Sequence, residues 1–347
     1  MKKTGWLLIV FLLGINSSAK AQQPWQELID SFITAPSSTP FNGIIHITRR
    51  GTTLYSKLQG WSNMEAHKKL KKSNQFIIGS ISKQITAVLV LREYDLGHLQ
   101  LNDPIGKYLP HITQPWAGEV TIHHLLCHMH GIEDINRPLM FQPGAEFNYG
   151  QANLGYLLLS KIIEKTAGKS FAEVCADLFK KCGMNHTFHP DIKKYKQLVN
   201  GYTEQENNSL AFEPNSFQNA PGAGGFISTA DDLVKWNQQL HGGKLLQPDT
   251  YRLMTTRQPG AVRNHPLFGT TYYGYGITTS SINGLLQLGQ TGFAPGFVSL
   301  NFYFPASQTS LILLENIAYQ TQDLTKTFYY HLQVFQIVKT QLLLQEK

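Results

Sequence analysis

A serine followed three residues later by a lysine, where an apolar run turns into a helix, can do nucleophilic chemistry. In Phe76-Ile77-Ile78-Gly79-Ser80-Ile81-Ser82-Lys83-Gln84 a strand-like run breaks at Gly79. Helical spacing then begins, with Ile81, Ile85, Val88, Leu89 and Arg92 in register and Gly97 marking the end, so Ser80 to Asp95 reads as one largely buried helix. Ser80 sits at the positive end of that helix dipole, which favours an anion there. Lys83 returns to the same face one turn on. Burial in so apolar a helix disfavours the ammonium form, so the amine can lose its proton near neutral pH. It could then accept the proton of Ser80, a transfer that typically contributes about 10²–10⁴-fold in rate. The plainer alternative is an N-cap serine beside a solvated lysine, and the apolar surroundings of Lys83 speak against it.

The rest of the chain must hold this pair in place. Residues 25–33 read as a short helix, and Phe41 to Thr48 and Thr53 to Gly60 read as a hairpin around Arg49-Arg50-Gly51. Leu125 to Cys127, Leu154 to Thr166, Phe171 to Lys180 and Asp231 to Leu240 are helix candidates, the last with Ser228 or Thr229 as cap. The last third turns to strands at Tyr272 to Thr279, Leu285 to Gly289, Phe297 to Phe304 and Thr309 to Glu315. It ends in a helix over Leu324 to Leu344, with Leu324, Phe328, Leu332, Phe335 and Val338 on one stripe. This order predicts an α+β fold of α/β sandwich type. One antiparallel sheet is built from both chain ends, about 25–75 and 260–347, and flanked by terminal helices. A helical region of about 80–240 is inserted, with a ligand cleft between the two parts.

Bulk properties set limits. The chain has 347 residues, 42% hydrophobic and 15% charged, which suits a large core rather than disorder. Lys2 and Lys3, an apolar run from Trp6 to Leu13 and Ala19-Lys20-Ala21 read as a signal peptide over residues 1–21, with cleavage before Gln22. The expectation is a periplasmic or secreted protein, residues 22–347, without a transmembrane segment. Losing Lys2, Lys3 and Lys20 lowers the formal charge from +7 to +4. The remaining basic runs, His67 to Lys72 and Lys193 to Lys196, read as solvated surface rather than a nucleic-acid site. Three cysteines allow at most one disulfide, and Cys175 and Cys182 are the pair a turn could join. His123, His124, Cys127, His128 and His130 crowd together, and His124 and His128 have zinc-ligand spacing. No Glu base accompanies them, so structural histidines are the expectation, with no metal and no cofactor.

With these residues in view, the chain resembles the beta-lactamase-related serine hydrolases, a group that includes class C beta-lactamases, D-alanyl-D-alanine carboxypeptidases and related esterases. Ser80-x-x-Lys83 is similar to their active-site motif. Leu101-Asn102-Asp103-Pro104, Tyr108-Leu109-Pro110, Thr121 to Gly131 and Gly224-Gly225-Phe226-Ile227-Ser228-Thr229-Ala230-Asp231-Asp232-Leu233 match further family segments in order. The resemblance implies a beta-lactamase/transpeptidase-like fold and hydrolysis of an amide or ester through an acyl-enzyme on Ser80. It implies an oxyanion hole from the N–H groups of Ser80 and Phe293.

Two motifs depart from the pattern. The family's Tyr-x-Asn has two registers here. Counting from Pro143-Gly144 selects Tyr149 and Gln151; counting back from Leu154-Gly155-Tyr156 selects Asn153, with Gln151 in the tyrosine place. Tyr149 is preferred as proton carrier because Gln has no titratable proton. The third motif, usually Lys-Thr-Gly or His-Thr-Gly, reads Gln290-Thr291-Gly292. Its strand can still align a substrate, but a substrate carboxylate loses a charge-assisted bond. Arg257 or Arg263 could restore the charge from a loop. The substrate expectations are a peptidoglycan-derived peptide, a beta-lactam or a small ester. The alternative is a catalytically impaired member that binds envelope peptides.

Overall fold

A computed structural model describes residues 24–214 and 220–345. The signal-peptide segment lies outside the described residues. Along the chain come α1 (Pro24–Thr34), the hairpin of β1 (Gly43–Arg49) and β2 (Thr52–Gln59), a ribbon of β3 (Trp61–Asn63) and β4 (Lys68–Lys69), and β5 (Phe76–Ile77). Helices α2 (Ser82–Asp95), α3 (Ile122–Leu126), α4 (Ala152–Ala167) and α5 (Phe171–Lys181) follow. Next are β6 (Gly201–Glu204), β7 (Leu210–Glu213), β8 (Ile227–Ser228), α6 (Ala230–His241) and α7 (Pro248–Thr255). Strands β9 (Val262–His265), β10 (Gly269–Tyr273), β11 (Thr278–Ile282), β12 (Leu285–Ala294), β13 (Phe297–Phe304), β14 (Thr309–Glu315) and β15 (Ile317–Ala318) lead to α8 (Leu324–Thr327) and α9 (Tyr329–Gln345).

The fold is α+β, built on one eight-stranded sheet in the order β2-β1-β14-β13-β12-β11-β10-β9. Neighbouring strands are antiparallel throughout. Strand β1 pairs with β14, with Gly43 opposite Glu315 and Arg49 opposite Thr309, so the two chain ends close one sheet. The central strands are buried on both faces. In β14, Leu311 and Leu313 face one core with Trp25, Ile29 and Ile33 of α1 and Val334, Phe335 and Val338 of α9. Ile312 and Leu314 face the other core, which holds α2 and the helical region. A sheet covered twice reads as continuous apolar sequence, which is why β13 and β14 look so uniform.

Helix α2 is the centre of the second core. Residues Ser82 to Leu91 are all buried, Lys83 included. Over that stretch the helix is buried on every side, so Lys83, its one charged residue there, stands out. Thr229 caps α6 by accepting from the Asp232 N–H.

Several expectations need correction. Tyr272 to Thr279 is two strands, because the backbone turns over Gly274 to Ile277 and Gly276 takes φ +70°. The C-terminal helix breaks at Phe328, and Leu324 is exposed rather than part of the buried stripe. The helix expected from Ser80 starts at Ser82, after a 3₁₀ turn over Gly79–Ile81. The one expected over Leu125 to Cys127 runs from Ile122 to Leu126. Helix α7 and the short strand β9 were not anticipated. Cys127, Cys175 and Cys182 are all free and buried, so Cys175 and Cys182 do not pair.

Candidate active site

Ser80 is held where three segments meet. Strand β5 pairs with β8, and the Ile78 N–H donates to the Phe226 carbonyl at 3.0 Å. The chain then turns at Gly79, with φ +51°, into the 3₁₀ turn that carries Ser80. A Cβ on Gly79 would lie 2.5 Å from the Phe293 nitrogen, and a Cβ on Gly292 would lie 2.2 Å from the Ile78 carbonyl oxygen. Only glycine permits so close an approach between the Ser80 turn and the middle of β12. The Ser299 hydroxyl ties them by donating to the Ile78 carbonyl at 2.9 Å.

Lys83 lies one turn into the buried core. Its Nζ donates to Ser80 Oγ at 3.0 Å, to Asn153 Oδ1 at 2.9 Å and to the Ala223 carbonyl at 2.8 Å. The last acceptor comes from the turn Pro221–Gly225, which Thr86 fixes by donating to the Gly222 carbonyl at 2.7 Å. Burial pushes the Lys83 amine down from 10.5 to about 7, helped by the positive charge of Arg263. Two of its three contacts are pure acceptors. They can hold both N–H groups of the neutral amine and leave its lone pair facing the Ser80 hydroxyl.

Tyr149 begins a 3₁₀ turn, Tyr149–Gln151, that runs into α4. Its hydroxyl accepts from Gln290 Nε2 at 2.8 Å, and Gln290 Oε1 accepts from Thr278 Oγ1 at 2.8 Å. Burial raises the Tyr149 pKa, and the Arg263 charge and the nearby Ser80 and Gln290 side chains oppose the rise. Lys83 Nζ is 5.5 Å from the Tyr149 ring centre, and the Arg263 guanidinium carbon is 3.8 Å from it. Behind the ring, His128 packs edge-on at 5.0 Å and touches Tyr273 and Tyr156 as well. Burial drives the His128 pKa well below its ordinary value.

Ser80, Lys83, Tyr149, Gln290 and Asn153 are therefore brought together, with the Phe293 backbone beside the Ser80 turn. Gln151 is left at the N-cap of α4 and makes no hydrogen bond to Lys83, Ser80 or Gln290 among the described residues. Thr291 lines a cavity with Phe335, Gln336 and Lys339 of α9. The histidines go separate ways: His123 bonds Tyr275, and His124 pairs with Thr121. The sequence reading missed the Ala223 carbonyl, although the neighbouring Gly224-Gly225 was a usable signal. It also missed Thr278 and Tyr273, the latter accepting from Gln290 Nε2 at 3.3 Å, which no motif announces.

Fold and site together define a class, that of the serine hydrolases acting on amides or esters. Residues 38–336 match the Beta-lactamase family, and the chain belongs to it. It is 27% identical over 296 residues to a Bacillus subtilis (strain 168) protein designated penicillin-binding protein PbpX, covering 80% of this chain and 71% of that one. It is 26% identical over 250 residues to the teichoic acid D-alanine hydrolase of Staphylococcus aureus; this covers 66% of the chain but only 60% of that relative's length. Among solved structures, the D-amino acid amidase of Ochrobactrum anthropi SV3 superposes with a TM-score of 0.76 at 19% identity, over 91% of this chain and 98% of the other.

Proposed function

We propose that this protein is an exported serine hydrolase that cleaves an amide or ester of the cell envelope through an acyl-enzyme on Ser80. The observation that carries it is the 3.0 Å contact between Ser80 Oγ and an amine buried deeply enough to titrate at about 7. In the neutral amine, Asn153 and Ala223 take the two N–H groups and Ser80 donates to the lone pair. Attack forms the Oγ–carbon bond as the Ser80 proton passes to Lys83. Negative charge on the carbonyl oxygen falls to the N–H groups of Ser80 and Phe293, each such donor being worth roughly 2.7–4 kcal/mol in the transition state. The departing nitrogen or oxygen takes the proton, relayed from Lys83 through Tyr149. Water then attacks the acyl carbon, gives its proton to the same pair, and Ser80 leaves as the hydroxyl.

The position of Tyr149 supports turnover over a binding-only role, since a proton carrier stands within reach of both Ser80 and Gln290. The names of the relatives point to envelope acyl groups such as D-alanyl esters or peptides. Export rests on residues 1–21, and among the described residues no helix is long and apolar enough to cross a membrane. A fluorophosphonate probe tests the reading. The wild type should be labelled stoichiometrically and Ser80→Ala should not. An unlabelled wild type, beside a control serine hydrolase that labels, points to the envelope-peptide binder instead. Secreted material should begin at Gln22.

A further inference from the structure

Each of the two dense basic runs, taken alone, reads as solvated surface. The first places Lys68 and Lys69 in β4 and Lys71 and Lys72 in the turn after it. The second carries Lys193, Lys194 and Lys196, far along the chain between α5 and β6. The fold sets them side by side. The Asn74 side chain closes the first run by accepting from the Lys71 N–H at 2.7 Å, and its amide donates to the Gln197 carbonyl at 3.1 Å. The Gln75 backbone donates to the same carbonyl at 2.9 Å and accepts from the Val199 N–H at 3.0 Å. The Gln75 side chain takes the Gln197 N–H at 3.0 Å. Asn74 and Gln75 are both buried, so this seam is part of the frame and not a chance meeting of loops.

The lysines of both runs are exposed, and little acid balances them. Lys72 pairs with Asp231 at 3.3 Å, and Lys69 lies over the Trp61 ring at 3.5 Å. The nearby Asp191 faces His189 at 3.6 Å, and Glu65 accepts from the Tyr202 hydroxyl at 2.6 Å. Among the described residues, Lys68, Lys71, Lys193, Lys194 and Lys196 have no carboxylate within ion-pair distance. Like charges gathered on one face repel over a Debye length of about 8–10 Å, and a partner with many negative charges relieves them. The basic side chains of the two runs are lysines, with no arginine. Lysine is a compact, hydrated point charge on a flexible stem. It suits a succession of phosphates better than one planar carboxylate held in a fork. Among the described residues, none of the exposed large apolar side chains falls within 61–75 or 189–200, so nothing there is built to enter a lipid layer.

We infer that the two runs form one docking surface for a linear polyanion of the cell envelope, a polymer with a phosphate in each repeat. Docking there holds the exported protein at the envelope. The choice of an envelope polymer rests on the export read from residues 1–21; the surface does not depend on the Ser80 chemistry.

Long-chain inorganic polyphosphate is the probe. With about six lysines engaged and the counterion release of a single-stranded polyphosphate, affinity should fall roughly a hundred- to a thousandfold between about 50 and 200 mM salt. The variants Lys68→Gln/Lys69→Gln/Lys71→Gln and Lys193→Gln/Lys194→Gln/Lys196→Gln should each about halve the salt slope and weaken binding by roughly tenfold or more. A control that loses the same charge at exposed lysines elsewhere, Lys165→Gln/Lys180→Gln/Lys326→Gln, should bind as the wild type does. A control that weakens as much reduces the effect to net charge and overturns the surface. So does a loss confined to one run's variant, since the runs would then not act together. Acetylation of the wild type with N-hydroxysuccinimide acetate needs no variant to fold. Polyphosphate should shield lysines of both runs and leave Lys165, Lys180 and Lys326 reactive; shielding of neither run overturns the surface. Duplex DNA or phosphatidylglycerol vesicles that bind more tightly than polyphosphate at equal charge would assign the surface to a nucleic acid or a membrane and overturn the polymer. An unlabelled wild type that still binds polyphosphate overturns the Ser80 reading and leaves the surface standing.

Discussion

Lys83→Met isolates the feature on which the mechanism depends, the depressed pKa of a buried amine. In the unfolded chain the lysine titrates near 10.5; in the folded protein burial holds it at about 7. Between those values the unfolded state binds more protons, so stability must rise with pH across that window. With the amine fully protonated in both states, the cost to folding is roughly 5 kcal/mol, at 1.36 kcal/mol per pKa unit. Between pH 6 and 9 the wild type should therefore gain about 2–3 kcal/mol relative to Lys83→Met. The substitution also strips a donor from Asn153 Oδ1 and the Ala223 carbonyl, each worth about 1–3 kcal/mol when left unpaired and buried. That loss does not depend on pH, so the slope reports the lysine and the offset does not. Urea unfolding at pH 6, 7, 8 and 9, followed by tryptophan fluorescence, measures both. Parallel stability curves for the two proteins would mean that Lys83 titrates normally, and the case for it as a base at neutral pH would fail.

Other outcomes follow from the same geometry. Phosphonylation of Ser80 by the fluorophosphonate, with loss of fluoride, should accelerate as pH rises through about 7, where Lys83 loses its proton; a rate flat from pH 5 to 9 would remove Lys83 from the proton path. Tyr149→Phe keeps the ring against His128 and Arg263 but deletes the hydroxyl; turnover of an ester substrate should drop about 10²-fold in kcat, and unchanged turnover would exclude a proton role. Gly79→Ala forces a side chain onto a backbone with φ +51° and to 2.5 Å from the Phe293 nitrogen. It should cost about 10²–10³ in kcat by parting the two oxyanion donors, with circular dichroism near that of the wild type. The three buried thiols should resist a thiol reagent in the native state and all react in urea, and a reductant should leave the unfolding midpoint unchanged.

Much of the fold was legible because its signals are local. The hairpin of β1 and β2 announces itself by turn residues between strand-like runs, and α4, α5 and α6 by apolar spacing and caps. What failed was local in another sense. Apart from Gly274 and Gly276, Tyr272 to Thr279 is strand-forming in residue type. The break comes from Gly274 and Gly276, and Gly276 must stay bare because a Cβ there would meet the Lys83 carbonyl at 2.7 Å and the Tyr156 hydroxyl at 3.0 Å. That constraint belongs to packing against α2, which no window of sequence contains. Likewise α9 looks like the continuation of one helix, but Phe328 packs with Val298 and Ala318 while Phe335 joins the core under β13. Two docking sites pull the stripe apart.

The ambiguity around Tyr149 has a physical resolution that was available in the residue numbers. Both registers assumed that the proton carrier and the amide stand two residues apart, as they do on an extended turn, and so made Tyr149 and Asn153 rivals. In the fold the backbone is helical from Tyr149 onward, first as a 3₁₀ turn and then as α4. Residues four apart on such a backbone share a face. Tyr149 and Asn153 can therefore both address Lys83, and Gln151, half a turn between them, cannot. The cation is different in kind. Gln290 and Arg263 are linked only through the sheet order, in which β11 and β10 separate β12 from β9. Arg263 can be named from the sequence as a spare charge, but only the contact with the Tyr149 ring brings it to the site.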